Sequence, residues 1–138
     1  MIKNVFMAMT ALILLVGCAR RPPEEELRLT RQRLRNYLFQ EESLTQSEMT
    51  ILSEYILKLA DMEQYLIEYR IWNRPGYEKL EKRFKEDCER WRRHFEMERN
   101  KPSEFAGGSL EPMDRNLRVV SLIESRIDEL KTEWLRKL

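Results

Sequence analysis

This sequence has few of the residues that build metal sites and disulfide frameworks. It contains one histidine and two cysteines among 138 residues. His94 lies among Arg92, Arg93 and Phe95, and no second histidine, cysteine or carboxylate cluster stands at metal-ligand spacing from it. We therefore expect His94 to be a surface residue, and we expect neither a metal nor a cofactor.

Catalytic motifs are also lacking. The chain has no phosphate loop, no nucleophile elbow and no dinucleotide fingerprint. Glu86 and Asp87 are adjacent carboxylates, but neighbouring residues on a helix point apart and form no acid–base pair. We expect the protein not to be an enzyme, with no catalytic residue and no small-molecule substrate.

An excess of charge of one sign is missing as well. Lys and Arg total 25 against 24 Asp and Glu, a net charge of +1. Such a balance gives no global attraction to nucleic acid. Charged residues make up 36% and hydrophobic residues 42%, a mixture that suits one small helical domain with a charged exterior.

The longest apolar run is too short to cross a membrane. It covers residues 5–16, 12 residues, whereas a spanning helix needs about 20. Lys3 precedes the run and Gly17-Cys18 follows it, which is the layout of a secretory leader. Besides the lipid-anchored leader considered next, residues 1–17 could be an ordinary secretory leader followed by a chance cysteine, or a buried helix.

Leu15, Val16, Gly17 and Cys18 resemble the lipobox of bacterial lipoproteins. The resemblance implies that residues 1–17 are a cleaved signal peptide, that Cys18 carries acyl chains such as palmitate, and that residues 18–23 form a tether. Ala19 in second place implies sorting to the outer membrane, facing the periplasm. The membrane would then be one partner of this protein.

Helical patterns fill residues 24–138. A first helix is predicted near residues 24–39, with a thin apolar stripe of Leu27, Thr30, Leu34 and Leu38. Residues 20–35 contain six arginines and three glutamates. These arginines either contact anionic lipid headgroups beside the anchor or form a solvated helix face.

The second helix has the clearest start signal. Thr45 and Glu48 fit a capping box, and Leu44 and Met49 fit a hydrophobic staple. The helix should run to about Trp72, with a wide buried face made of two stripes. The first stripe is Met49, Leu52, Ile56, Leu59 and Leu66, and the second is Ile51, Tyr55, Met62, Tyr65, Tyr69 and Trp72.

Two more helices follow the break at residues 73–76. The third covers about residues 77–99 with an apolar stripe of Leu80, Phe84, Cys88, Trp91 and Phe95. After an irregular segment at residues 100–111, the last helix begins near Pro112 and has a seam of Leu117, Val120, Ile123, Ile127, Leu130, Trp134 and Leu138. No segment alternates with period two, so the prediction is an all-α, antiparallel bundle of three to four helices.

Cys88 has no partner within the chain if Cys18 is lipidated. Its place on the apolar stripe favours a buried, inert thiol. An intermolecular disulfide or a redox-active thiol are the alternatives.

Residues 44–130 resemble the LprI-like family of lysozyme inhibitors. The resemblance rests on Gly107, Gly108, Ser109, Pro112 and Met113, then Arg126 and Leu130, with Trp91 upstream. Gln46, Glu48 and Met49 resemble the polar-polar-Met start of a helix in the family, and Ala60-Asp61 resembles the family's Ala-Asp pair. The family consists of small secreted or lipid-anchored helical domains.

The chain departs from the family at its cysteines. Leu52, Arg99 and Arg118 stand where the family has cysteine, and His94 and Phe95 replace a tyrosine and an arginine. The crosslink that fastens the family's glycine-rich loop, typically worth about 2–4 kcal/mol, is absent. The loop is therefore held by packing or is more mobile.

The resemblance implies a binding function without chemistry. The chain would bind a protein partner, such as lysozyme or another muramidase, and block its cleft sterically through residues 100–113. The partner-binding residues would be Gly107, Gly108, Ser109, Pro112, Met113, Trp91 and Arg126. The alternative is a structural or assembly lipoprotein, pilotin-like or an accessory subunit of a secretion or envelope machine, that uses an apolar helical seam.

Overall fold

Four helices and their connections make up the computed structural model, which describes residues 21–136. Helix α1 is Pro23–Gln40, α2 is Gln46–Trp72, α3 is Glu81–Arg99 and α4 is Glu111–Glu129. A 3₁₀ turn, Tyr77–Lys79, precedes α3, and a π-helical segment, Leu130–Leu135, continues α4. No strand occurs among the described residues. The all-α prediction is confirmed, whereas Cys18 and the lipobox lie outside the described residues.

Local signals fix the helix ends as the sequence predicts. The amide of Glu48 donates to Thr45 Oγ1 at 3.2 Å, and the amide of Thr45 donates to Glu48 Oε2 at 3.4 Å. This reciprocal capping box satisfies donors that the first turn of α2 would otherwise leave free. At the start of α1, Glu24, Glu25 and Glu26 occupy the first turn, where carboxylates oppose the positive end of the helix dipole.

Side-chain pairs show how the helices run. Glu24 and Arg31 of α1 bind Arg70 and Glu63 of α2, so these two helices are antiparallel. Contacts between α2 and α4 follow the same order in both helices: Ser53 with Asn116, Glu63 with Lys131, and Arg74 with the carbonyls of Trp134 and Leu135. Helices α2 and α4 are therefore parallel.

Helix α3 runs antiparallel to α4. Phe84, near its start, packs edge-on against Trp134, whereas Trp91 lies over Arg126. The bundle thus alternates up and down, and its two ends differ. At one, the Pro23 end, α1 begins and α2 and α4 finish. At the other, the loop end, α2 and α4 begin and residues 100–110 connect α3 to α4.

The core lies between α1, α2 and α4. The stripe of α1 is buried at all four of its predicted positions. Helix α4 buries Val120, Ile123 and Ile127, and its seam continues through Leu130 and Trp134 in the π-helical segment. Helix α3 contributes one fully buried residue, Phe84, with Leu80, Cys88 and Phe95 partly buried against the core.

The aromatic stripe of α2 corrects the sequence prediction. Met62, Tyr65, Tyr69 and Trp72 are 53, 57, 50 and 41% exposed, and the buried face consists of Leu52, Ile56, Ala60, Ile67 and Ile71. Helices α1 and α4 pack on α2, whereas α3 packs mainly on α4. Among residues 21–136, no helix covers this side of α2, and the second predicted stripe is wrong from Met62 to Trp72.

One arginine of α1 does not lie on a solvated helix face, which was one of the two alternatives for the arginines of residues 20–35. Arg31 is buried, and its Nη1 lies 2.5 Å from Glu63 Oε2. Glu63 has no exposed surface, and Lys131 Nζ reaches its other oxygen at 3.2 Å. Arg35 pairs with Glu124 at 2.8 Å. These arginines join helices within the domain because a buried carboxylate needs a cation beside it.

Replacing Arg31 tests this buried cluster. In Arg31→Met, Glu63 keeps only Lys131, and leaving a buried charge with too little compensation costs about 3 kcal/mol or more. We expect urea denaturation to show a loss of that size in the free energy of unfolding. Arg33→Met is the matched control, because Arg33 is exposed on the same helix, and it should change stability by less than about 0.5 kcal/mol. Equal losses in the two variants would contradict the prediction.

Candidate functional site

The segment at residues 100–113 forms the loop end of the bundle. Gly107, Gly108, Ser109 and Pro112 are exposed, whereas Met113 is half-buried and packs against the core. Phe105, which is 44% exposed, adds an aromatic ring to this surface. The structure therefore brings together five of the seven partner-binding residues that the family resemblance implies.

Polar bonds brace this loop. The guanidinium of Arg118 donates to the carbonyls of Lys101 and Pro102 at 2.7 and 3.1 Å. Ser103 is buried, and its hydroxyl donates to Asp114 at 2.5 Å while it accepts the amide of Phe105. A side chain of α4 therefore fastens the loop.

Glycine is needed at the turn of the loop. Gly107 has φ of +77°, a conformation that side chains with a Cβ disfavour. Its amide donates to Glu111 Oε2 at 2.8 Å. A Cβ on Gly108 would lie 3.1 Å from the carbonyl oxygen of Phe105. The bond from Gly107 to Glu111 ties the exposed turn to the first residue of α4.

The basic residues around the loop are already paired. A shallow cleft of about 440 Å³ is lined by Arg99, Lys101 and Arg115, among others. Lys101 donates to Glu98 at 2.6 Å, which lowers the pKa of that carboxyl, and Arg115 donates to Glu111 at 2.6 Å. Arg99 lies 3.8 Å from Glu96. The loop thus presents a defined shape with little uncompensated charge at its surface.

Arg126 and Trp91 lie together, but far from the loop. Arg126 is 1% exposed and about 22 Å along α4 from Glu111, at 1.5 Å per residue. It binds Asp87 at 2.8 Å and Glu129 at 3.0 Å, and its guanidinium carbon is 5.6 Å from the centre of the Trp91 ring. These contacts attach α3 to α4.

Neighbouring carboxylates set the protonation of Arg126, whereas burial sets that of Cys88. Burial alone would lower the pKa of Arg126, but bonds to Glu129 and Asp87 raise it above its ordinary value. Cys88 is half-buried, 3.6 Å from Arg126 Nη2, and burial raises the pKa of its thiol. A thiol with a raised pKa is mostly protonated at neutral pH, and the protonated form is the poorer nucleophile.

A second cleft opens between α1 and α4. It encloses about 360 Å³, and its charged lining includes Arg31, Arg35, Glu63, Glu124 and Lys131. These five side chains bind one another, as described for the buried cluster. The cleft is therefore lined by the ion pairs that join the helices.

Sequence reasoning missed two features of these surfaces. The sequence identifies Arg118 only by the resemblance, which implies a cysteine there, and gives no other sign that its side chain holds the loop. The exposed side of α2, Met62, Tyr65, Tyr69 and Trp72, has the same helical spacing as a core stripe. We call these four residues the α2 stripe.

No family model, curated protein or solved structure matches this chain. In the described residues, no helix is both long and apolar enough to span a membrane. The resemblance to the LprI-like family stays a prediction.

A new crosslink tests that resemblance directly. If Arg99 and Arg118 occupy the family's cysteine positions, their Cα atoms lie within about 7 Å. Arg99→Cys combined with Arg118→Cys should then form a disulfide on mild oxidation, seen as a monomer with altered gel mobility that reduction reverses. The matched control is Arg93→Cys with Arg118→Cys, because Arg93 lies one to two turns before Arg99 on α3. No disulfide is expected in this control. If both introduced thiols stay free in the first variant, beside the native thiol of Cys88, the family fold is contradicted.

Proposed function

We propose that this chain is a lipid-anchored protein of the bacterial envelope that binds a protein partner sterically through residues 100–113, in the manner of a lysozyme inhibitor. The observation that carries the proposal is the exposed, internally braced loop at the end of the bundle opposite Pro23. A rigid loop loses little conformational freedom on binding, which favours affinity. Lysozyme or another muramidase is the partner class that the motif suggests.

Location follows from the lipobox at residues 15–18. A lipid on Cys18 would place the membrane beside the Pro23 end, so the loop would extend away from the bilayer. Two or three acyl chains anchor a protein stably, whereas one alone binds weakly. The proposed place is the outer membrane, facing the periplasm.

Blocking lipidation tests the anchor. The full chain, expressed in a bacterium with a diderm envelope and labelled with palmitate, should incorporate label and fractionate with the outer membrane. Cys18→Ser should leave an unlabelled precursor, because no thiol is available to accept diacylglycerol. Cys88→Ser, the matched control at the other cysteine, should label normally. A labelled Cys18→Ser protein, or an unlabelled native chain, would contradict the anchor.

Enzyme assays test the loop. We expect the purified protein to slow lysis of cell walls by at least one class of lysozyme at micromolar concentration. Phe105→Asp combined with Ser109→Asp places two charges on the exposed loop and should weaken inhibition tenfold or more, a change of about 1.4 kcal/mol. Phe39→Asp, an exposed aromatic at the same end but outside the loop, should inhibit as the native protein does. No inhibition across several lysozyme classes would rule out the lysozyme partner.

An assembly lipoprotein, pilotin-like or an accessory subunit of an envelope machine, is the second candidate. The observation that favours it is the α2 stripe, an exposed apolar helix face of the kind that subunits pair through. Crosslinking in the envelope separates the two candidates. A partner lost with the loop variant favours the inhibitor, and a partner lost with substitutions in the α2 stripe favours the assembly protein.

A further inference from the structure

We propose that the α2 stripe rests on the lipid bilayer, so that the domain leans against the membrane that anchors it. This inference rests on the lipid anchor of the proposed function and adds a second, non-covalent contact. In this contact the α2 stripe binds the interface of the bilayer, where headgroups meet acyl chains. Four observations support it: the chemistry of the stripe, its extent along α2, its place in the bundle and its charge.

Chemistry is the first observation. The rings of Tyr65 and Tyr69 lie 6.4 Å apart, and Tyr65 meets Trp72 edge-on at the same distance. With Met62, these rings form a continuous patch on the outer side of the helix. Tyrosine and tryptophan combine an apolar ring with one polar group, and such side chains concentrate at membrane interfaces.

The extent of the stripe is the second. The outer side of α2 changes character along the helix: Glu54, Lys58 and Asp61 are exposed on the loop-end side of Met62, and the stripe follows from Met62 to Trp72. Only the part of α2 next to the Pro23 end therefore suits a bilayer. The loop end lies about 39 Å from Trp72 along α2, at 1.5 Å per residue, and stays accessible to a partner in this orientation.

Place in the bundle is the third. Glu24, the second residue of α1, binds Arg70 at 2.6 Å, so α1 begins at the level of Tyr69 and Trp72 along α2. The chain thus enters the bundle at the end that carries the stripe. From Cys18 to Pro23 the chain spans at most about 18 Å, at up to 3.6 Å per residue. A lipid on Cys18 would therefore hold the end of the bundle that carries the stripe close to the bilayer.

Charge is the fourth observation, and it indicates which lipid the stripe needs. Arg70 is bound to Glu24, and Arg21 lies 3.6 Å from Glu26. Since carboxylates already pair with these cations, attraction to anionic headgroups adds little. The contact should therefore form on neutral phosphatidylcholine and persist in high salt, which screens exposed charges.

Tryptophan fluorescence tests the contact. The lipidated protein is reconstituted into phosphatidylcholine vesicles with bromine on the acyl chains, which quenches only tryptophans that reach them. Trp72 is exposed, whereas Trp134 is buried and Trp91 is half-buried against Arg126 and Phe95. We expect quenching of the native protein, in low and high salt alike, and its loss in Trp72→Phe.

Matched double variants test the rest of the stripe. Tyr65→Ser with Tyr69→Ser keeps Trp72 and the anchor but removes two rings, so the protein should stay on the vesicles while quenching falls severalfold. Phe39→Ser with Phe105→Ser removes two exposed rings from the loop end and should leave quenching unchanged. Equal quenching of the native protein and Trp72→Phe would overturn the inference.

Two further outcomes have distinct meanings. If light scattering of the protein in detergent shows a dimer that Tyr65→Ser with Tyr69→Ser converts to a monomer, the stripe pairs with a second copy and the inference is wrong. If Cys18 carries no lipid, the anchor fails separately. A histidine tag in place of residues 1–18, held by a nickel-chelating lipid, then tethers the domain, whose core lies within residues 34–134. Quenching of Trp72 in that form supports the inference, and its absence overturns it.

Discussion

A carboxylate without any exposed surface joins the three helices of the core. Glu63, in the middle of α2, binds Arg31 of α1 with one oxygen and Lys131, just beyond α4, with the other. A buried charge is tolerated only where a cation lies beside it, so these bonds set the register of both neighbouring helices on α2. Apolar packing alone specifies register less sharply, because many similar side chains fit one another.

That constraint also decides which surfaces stay open. With α1 and α4 held on α2 through Glu63, the remaining side of α2 is left to solvent along Met62–Trp72. Helix α3 packs on α4, where Arg126 binds Asp87 and covers Trp91. Two salt-bridged clusters thus place the four helices, and the two surfaces proposed for binding lie away from both of them.

The sequence predicted the elements better than their surroundings. Hydrophobic spacing and the capping box at Thr45 identified the helices within a few residues, since these signals are local. The spacing of Tyr65, Tyr69 and Trp72 could not say whether another helix covers them, because a core stripe and a docking stripe have the same period. Arg31 and Arg118 were missed for a related reason: their partners, Glu63 and the carbonyls of Lys101 and Pro102, are distant in sequence, and only the fold brings them together.

The shallow attachment of α3 has a consequence for how the loop behaves over time. Phe84 is its one fully buried residue, so we expect α3 to open at a lower free energy than the core. The loop is joined to α3 at one side and braced by α4 at the other. Each opening of α3 therefore removes one of the two supports of the loop. A partner that grips the closed loop would suppress these openings, and amide hydrogens along α3 would then exchange more slowly in the complex although the partner never touches them.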